Sequence, residues 1–348
     1  MMTMADVAHA AGVSVTTVSH VVNGTRVVLP ATRERVQRAI QDLGYVPRPT
    51  TRSLSAGSHR TIGVAVTVAN NPYWVEILEG LGREAERLDL DLIVVDTRDD
   101  PHHEATAVAN LIAHRVDGLI IAPTGSWRAR TFPMLCDRSL PHVLLDRLDP
   151  MLRVDQVGVE NESVTRALID HLIQLGHTRI GMLSGIPGLF TSSERLRGYV
   201  GAHHRANLPM DPELVRVGDS SSRGGRRAAA ELLRLPDPPT ALFTANSGMT
   251  VGALAALQEA GVKVPDDIAL VAFDDFPWAD LFRPHLTAIA QPSAAIGARA
   301  VQLMHRRLGD RDAPHRILRL PAEIMHRESC GCSAGSELDA VRQTSLSA

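Results

Sequence analysis

From Thr61 onward, short continuous apolar runs alternate with stretches of helical periodicity, and no other property of this 348-residue chain restricts its fold as strongly. The first series runs "TIGVAVTVA", a helical pattern near 74–88, "LDLIVVD", a second near 102–115, "VDGLIIAP", a third near 127–139, and "HVLLD". A second series follows: "VGV", a helix near 161–175, "TRIGMLSG", a helix near 193–207, "LVRVG", a helix near 223–234, "TALFTA", a helix near 247–260, and "IALVAFDD". Strands that are apolar throughout need cover on both faces, which points to parallel sheets flanked by helices. Two series predict two similar lobes of doubly wound α/β structure over residues 61–328. Their shared cleft is expected at the carboxyl ends of the strands.

The first 46 residues are of another kind. Thr3 and Asp6 form a capping-box-like start, and Met4, Val7, Ala8 and Ala11 share one helical face that stops at Gly12. Ser14 caps a second helix. In it Val15, Val18 and Val21 or Val22 face inward, while Thr16, Thr17, Ser19 and His20 cover the rest. A tight glycine-containing turn between two short helices makes a helix-turn-helix. Pro30 suits the first position of a third helix, with Val36, Ala39, Ile40 and Leu43 inward and Gly44 just past its end.

Charge separates the two parts as clearly as pattern does. Residues 1–60 hold seven arginines against Asp6, Glu34 and Asp42, so they carry +4 and the remainder −7 of the net −3. A basic head on an acidic body suits a polyanionic partner for the head alone. Between them, residues 47–60 lie in a stretch, "YVPRPTTRSLSAGSHR", that reads as a linker with one isolated apolar residue, Leu54.

Several classes are disfavoured. No apolar run approaches the roughly 20 residues that cross a bilayer, and the N-terminus lacks the basic-then-apolar order of a secretory signal. A cytoplasmic protein without a membrane partner is therefore expected. Cys136 stands alone, and "CGC" (Cys330, Cys332) sits in a Ser- and Gly-rich end. A lone Cys-x-Cys is weak evidence for a metal, so no metal site is expected. Residues 329–348 show no sustained heptad and are expected to form a disordered tail. No Gly-x-Gly-x-x-Gly, P-loop or Gly-x-Ser-x-Gly sequence occurs, and Lys263 is the only lysine. "GDSSSRGG" reads as a loop and helix cap. Neither an enzyme nor a cofactor is expected.

With those residues in view, the chain resembles the lactose-repressor/galactose-repressor (LacI/GalR) family of bacterial transcription regulators. The resemblance spans about residues 3–330 and rests on "DVAHAAGVSVTTVSHVVNG", "TRERVQRAIQDLGYVP", "RSLSAG", "TIGVAV", "NNPYW", "RVDGLIIAP", "HLIQLGHTRIGMLSG", "ERLRGY", "PTALFTANSGMTVGALAALQEAGVKVPDDIALVAFDD" and "LTAIAQP" in the family's order. It implies a helix-turn-helix headpiece joined to a two-lobed, periplasmic-binding-protein-like domain. It further implies a homodimer on a palindromic double-stranded DNA operator, with a small, carbohydrate-like effector in the cleft changing operator affinity. A co-repressor-dependent regulator or activator with a non-sugar effector, and a ligand carrier without regulatory role, are the alternatives.

On that resemblance Val15, Thr16 and His20 reach base edges, with Val15 suited to a thymine methyl and His20 to a guanine acceptor. Ser14, Thr17 and Asn23 suit phosphates, and Leu54 wedges into the minor groove. The effector positions fall on Tyr73, Trp74, Asp146, Thr191, Arg195, Asn246 and Asp274. Aromatic faces cover a sugar ring while Asp, Asn and Arg bond its hydroxyls. Four positions depart from the family pattern: His20 for the common Arg, Leu29 for a Ser cap, Ser247 for Asp, and Ser220 where some members have an aromatic. Loss of that aromatic wall predicts a ligand less sandwiched, or larger, than a simple hexose.

Overall fold

A computed structural model describes residues 2–23, 26–45, 61–67, 71–276, 279–281 and 283–332. The chain divides into two units between His59 and Arg60.

The first unit contains α1 (Met4–Ala11), α2 (Val15–Asn23) and α3 (Pro30–Asp42). The capping box at α1 is complete: Thr3 Oγ1 accepts from the Asp6 amide at 3.3 Å, and the Asp6 carboxylate accepts from the Thr3 amide at 2.8 Å. Gly12 then ends the helix at φ 64°, a left-handed conformation that costs glycine nothing. α3 begins on Pro30, and its cap residue Leu29 makes no side-chain bond to the helix. Val7, Ala8, Ala11, Val18, Val36, Ala39 and Tyr45 form the small core. Burying a valine such as Val18 stabilises by roughly 1.5–3 kcal/mol. One expectation is corrected: Val15 does not face inward but is 47% exposed. At the first position of α2 it precedes the turn that Val18 anchors.

The second unit is α/β. Its first half carries β1 (Thr61–Val66), α4 (Pro72–Arg87), β2 (Asp91–Asp96), α5 (Pro101–Ala113), β3 (Gly118–Ile121), α6 (Trp127–Asp137), β4 (His142–Leu145) and β5 (Asp155–Val159). There follow α7 (Asn161–Gln174), β6 (Ile180–Ser184), α8 (Phe190–Arg205), β7 (Val215–Val217), α9 (Ser222–Leu233), β8 (Ala241–Thr244), α10 (Ser247–Glu259) and β9 (Ala269–Phe273). The last described elements are β10 (Thr287–Ala290), α11 (Ser293–Gly309), β11 (Ile317–Leu320) and β12 (Glu323–Met325). Two six-stranded sheets result, ordered β11-β5-β4-β3-β1-β2 and β12-β10-β9-β8-β6-β7. Every pairing is parallel except β10 with β12. The strands β3, β5, β6, β8 and β9 are buried along their whole length, as sheets covered on both faces require.

The lobes are not successive halves of the sequence. "VGV" does not open the second series: β5 pairs with β4 and β11 in the first sheet. The chain crosses to the second lobe after β5, returns after β10 to build α11 and β11, and crosses again into β12. The returning helix is held tightly. A Cβ on Gly80 would lie 2.0 Å from the Ala294 carbonyl oxygen, and one on Gly297 would lie 2.2 Å from that of Ile77, so α4 and α11 approach backbone to backbone. The buried Asp155 at the start of β5 accepts from Arg306 at 3.1 Å and Arg307 at 2.8 Å, tying the end of α11 to the same sheet.

The expectation of a tail from residue 329 is corrected for its first residues; residues 333–348 lie outside the described residues. Glu328–Cys330 form a 3₁₀ turn in which Ser329 and Cys330 are buried. Ser329 Oγ donates to the Leu270 carbonyl at 2.6 Å and accepts from the Thr287 amide at 2.8 Å, so this turn is part of the second lobe. Among the described residues no helix is long and apolar enough to cross a membrane.

Candidate functional site

In the first unit α2 presents its amino-terminal turn outward. Ser14 Oγ accepts from the Thr17 amide at 3.1 Å and lies 2.9 Å from Thr17 Oγ1, which fixes the start of the helix. Ser14, Val15 and Thr16 are exposed, and Thr17 and His20 are half-buried on the same stretch. A small exposed apolar group beside a hydroxyl, at the positive end of a helix, suits base edges and phosphates of a duplex groove. Asn23 ends the helix; its side chain and the whole of Leu54 lie outside the described residues.

In the second unit the seven candidate effector residues converge on one cleft between the lobes, with about 610 Å³ of space that includes the solvent at its mouth. Tyr73 and Trp74 open α4, where Asn71 caps the helix by accepting from the Tyr73 amide at 3.0 Å. Their rings meet edge to face at 5.4 Å. Asp146 follows β4 and Asp274 follows β9, and both have left-handed backbones, φ 64° and 74°. This turn at the carboxyl end of each strand rolls the carboxylate into the cleft, and the two lobes repeat it. Thr191 and Arg195 stand one turn apart on α8, and Asn246 caps α10 by accepting from the Met249 amide at 2.9 Å.

Most of these groups are already oriented. Tyr73 Oη donates to Asp146 at 2.6 Å. Asp274 accepts from Gln291 Nε2 at 2.6 Å and from the Ser247 amide at 3.1 Å. Asn246 Nδ2 donates to the Ser220 carbonyl at 3.0 Å. Arg195 lies with its guanidinium 3.5 Å from the Phe273 ring centroid, donating to Asn161 Oδ1 at 2.9 Å and to the Ala245 carbonyl at 2.5 Å. A preset wall of acceptors and donors recognises a polar ligand at low ordering cost.

Other wall residues carried no signal of their own type. Arg147 makes a two-pronged ion pair with Asp99 at 2.5 and 2.8 Å, across two loops that only the fold brings together. Gln291 follows β10, and its buried Oε1 has no hydrogen-bond partner. Position at a strand's carboxyl end was the only clue to it. Ser247, a departure from the Asp common in the resembled family, donates from Oγ to Asn71 Oδ1 at 2.9 Å and so links the two lobes directly. Ser220 lines the cleft where an aromatic wall would have stood.

Burial dominates the electrostatics. It pushes the Asp146 carboxyl above its ordinary value, against the pull of Arg195 and the Tyr73 hydroxyl. It also pushes Tyr73 well above the usual phenol range, with the Asp146 charge adding to the effect. An acid raised in the folded state is protonated in both states below about 3.8. As pH rises from there through its folded value, the unfolded chain ionises first and stability is lost. Asp146→Asn, which keeps an acceptor for Tyr73 and tolerates the left-handed backbone, should remove that loss. Its melting temperature should exceed the wild type's at pH 7, and the gap should close toward pH 3.8. A constant gap across that range would contradict the assignment.

Comparison with known proteins agrees with this geometry. Residues 3–48 match the family model described as bacterial regulatory proteins, lacI family, and residues 169–330 match a periplasmic binding protein-like domain. The chain is 34% identical over 331 residues to the HTH-type transcriptional repressor PurR of Aliivibrio fischeri (strain ATCC 700601 / ES114), covering 94% of this chain and 98% of that one. Among solved structures, a Lac repressor dimer bound to operator and the anti-inducer ONPF is 30% identical, with a TM-score of 0.82 over 94% of this chain and 99% of the other. A complex of the transcriptional regulator CelR with cellobiose is 31% identical, with a TM-score of 0.71 over 94% and 100%.

Proposed function

The chain belongs to the LacI family of bacterial regulatory proteins, and we propose that a neutral, polyhydroxylated effector of the carbohydrate class, seated in the cleft, controls its affinity for an operator. It is a DNA-binding transcriptional repressor and not an enzyme. One observation carries the effector reading: acceptors and donors line the same cleft. Asp146 and Asp274 offer lone pairs, Arg195 and Asn246 offer N–H groups, and among the described lining residues Tyr73 and Trp74 supply the large apolar faces. Sugar hydroxyls donate and accept at once, and so match such a wall. Among the described lining residues Asp99, Asp146 and Asp274 stand against Arg147 and Arg195, so there is no positive excess to attract an anionic ligand. Ser220 in place of a second aromatic wall leaves room beyond one ring, which favours a disaccharide. A relative whose structure is a complex with cellobiose supports the same class.

For the DNA, two copies pair so that two α2 helices meet a palindrome about one helical turn apart. Two short helices together read enough bases for a specific site. Val15, Thr16 and His20 contact bases; Ser14, Thr17 and Asn23 hold phosphates; Leu54 wedges into the minor groove. An effector that prefers one lobe angle shifts the population between DNA-competent and DNA-incompetent states.

A thermal-shift panel of mono- and disaccharides, sugar phosphates and nucleobases tests the effector class. A saccharide at 100 times its Kd should stabilise the protein by about 2.7 kcal/mol and change operator affinity. Stabilisation confined to a sugar phosphate or a planar base would overturn the proposal.

A further inference from the structure

The "CGC" pair at the end of the described chain takes on a different meaning in three dimensions. His171, in the last turn of α7, places Nε2 3.5 Å from Cys330 Sγ. Gly331, at φ 81°, turns the backbone so that Cys332 returns to the same point, its Sγ 2.9 Å from that of Cys330. A nitrogen of His171 and the two sulfurs thus all lie within 4.8 Å of one another. A second imidazole borders this trio. His326 stands edge-on to His171 with 4.5 Å between ring centroids and keeps a buried Nδ1 that has no hydrogen-bond partner.

We propose that His171, His326, Cys330 and Cys332 form a structural zinc site that fastens the Glu328–Cys330 turn to α7. Two sulfurs and two nitrogens are a donor set that zinc takes up in closed tetrahedral sites. Two thiolates and two neutral imidazoles cancel the charge of a divalent cation, so the ion enters a buried place without leaving net charge there. The spacing His-x₃-Cys-x-Cys supplies three ligands from seven residues, and α7 supplies the fourth from far away in sequence. With zinc–sulfur bonds of about 2.3 Å, the sulfurs of a tetrahedral site stand about 3.8 Å apart. The sulfurs, 2.9 Å apart here, would have to separate on binding, a movement that falls to the half-buried Cys332. The Arg327 carbonyl, 3.4 and 3.5 Å from the two sulfurs, lies within the same cluster. The Arg327 guanidinium is turned to Asp275, at 2.8 and 3.0 Å, so its positive charge is neutralised there.

Cobalt(II) is the probe. The untagged full-length chain, with thiols reduced, should bind one equivalent and show both the intense visible bands of tetrahedral cobalt and thiolate-to-cobalt charge transfer. Zinc should displace it. His171→Gln, His326→Gln and Cys332→Ser should each weaken cobalt binding by at least the ~10- to 100-fold that loss of a mere outer-shell partner costs. Cys136→Ser should leave the isotherm unchanged. Cys332 is half-buried, so its serine variant tests ligation without opening the core; its melting curve in EDTA should match that of the wild type, and only the wild type should gain stability from zinc. The proposal fails if the reduced chain gives no tetrahedral spectrum, if the spectrum survives His171→Gln, or if the cysteines form only a disulfide and the reduced protein takes up no metal.

Discussion

A chain lacking residues 1–60 should bind a fragment carrying its operator no better than random DNA, while its melting transition and its effector affinity persist. Two features require this. The removed segment holds the helix-turn-helix and the whole positive excess, +4, and what remains carries −7 and repels a polyanion. Residues from Arg60 onward form a compact unit with cores of their own, built on strands such as β1, β3, β6 and β9. Specific binding exceeds non-specific binding by about 10³- to 10⁷-fold, so the expected change is the whole of that ratio. Within the intact protein, Thr16→Ala should narrow the ratio at particular bases without altering the salt dependence, because a neutral side chain releases no counterion. Fluorescence anisotropy with specific and scrambled duplexes at several salt concentrations separates these results. Retention of sequence-specific binding by the truncated chain would assign DNA recognition to the body instead.

How far the sequence reveals this molecule depends on whether a feature is local. The capping box at Thr3 and Asp6, the stop at Gly12 and the start at Pro30 are each decided by a few neighbours, and each is found in the structure. The alternation of apolar strands with helices was legible because both faces of a parallel sheet are buried. What alternation cannot report is which sheet a strand joins. β5 looks like the first strand of a new lobe and belongs to the old one, because its partners β4 and β11 are chosen by pairing and by the buried Asp155 with its two arginines. β10, α11, β11 and β12 follow the last clear repeat and carry the return crossings. The cleft shows the same division. Asp146 and Asp274 stood out as carboxylates closing apolar strands. Arg147 and Asp99 acquire their roles only from a contact between loops, and Gln291 is an uncharged residue whose meaning lies in where β10 ends. "CGC" was unremarkable as a lone pair: His171 on α7 is 159 positions from Cys330, and His326, though only four residues before Cys330, takes on meaning only beside the His171 ring.

Arg195 offers the sharpest separation of sensing from folding. It is 8% exposed, and its hydrogen bonds go to an amide oxygen and a backbone carbonyl rather than to a carboxylate. Two carbonyl-type oxygens and the face of Phe273 hold it, which leaves part of its five-donor fork for a ligand in the cleft. A hydrogen bond to a charged group is worth about 1.5–3 kcal/mol, so Arg195→Ala should weaken the effector by about 10- to 150-fold. The structural cost works in two directions. Truncation leaves Asn161 Oδ1 and the Ala245 carbonyl without this donor, at about 1–3 kcal/mol for each group that water does not reach. It also relieves the desolvation of a buried cation hydrogen-bonded to neutral oxygens, which offsets part of that cost. A modest change in melting temperature, normal operator binding and a lost effector response are therefore expected together. Arg195→Lys should fall between, since an ammonium keeps the charge but cannot reproduce a planar fork stacked on a ring. The partner residue needs a different substitution. At φ 74° an alanine in place of Asp274 would add backbone strain to the loss of its carboxylate, whereas Asp274→Asn keeps the left-handed turn and an oxygen for Gln291. Operator affinity measured with and without saccharide, beside melting curves for Arg195→Ala, Arg195→Lys and Asp274→Asn, decides the matter. Unchanged effector responses would remove both residues from the ligand's contacts, and joint loss of fold and DNA binding would make them framework residues of the second lobe.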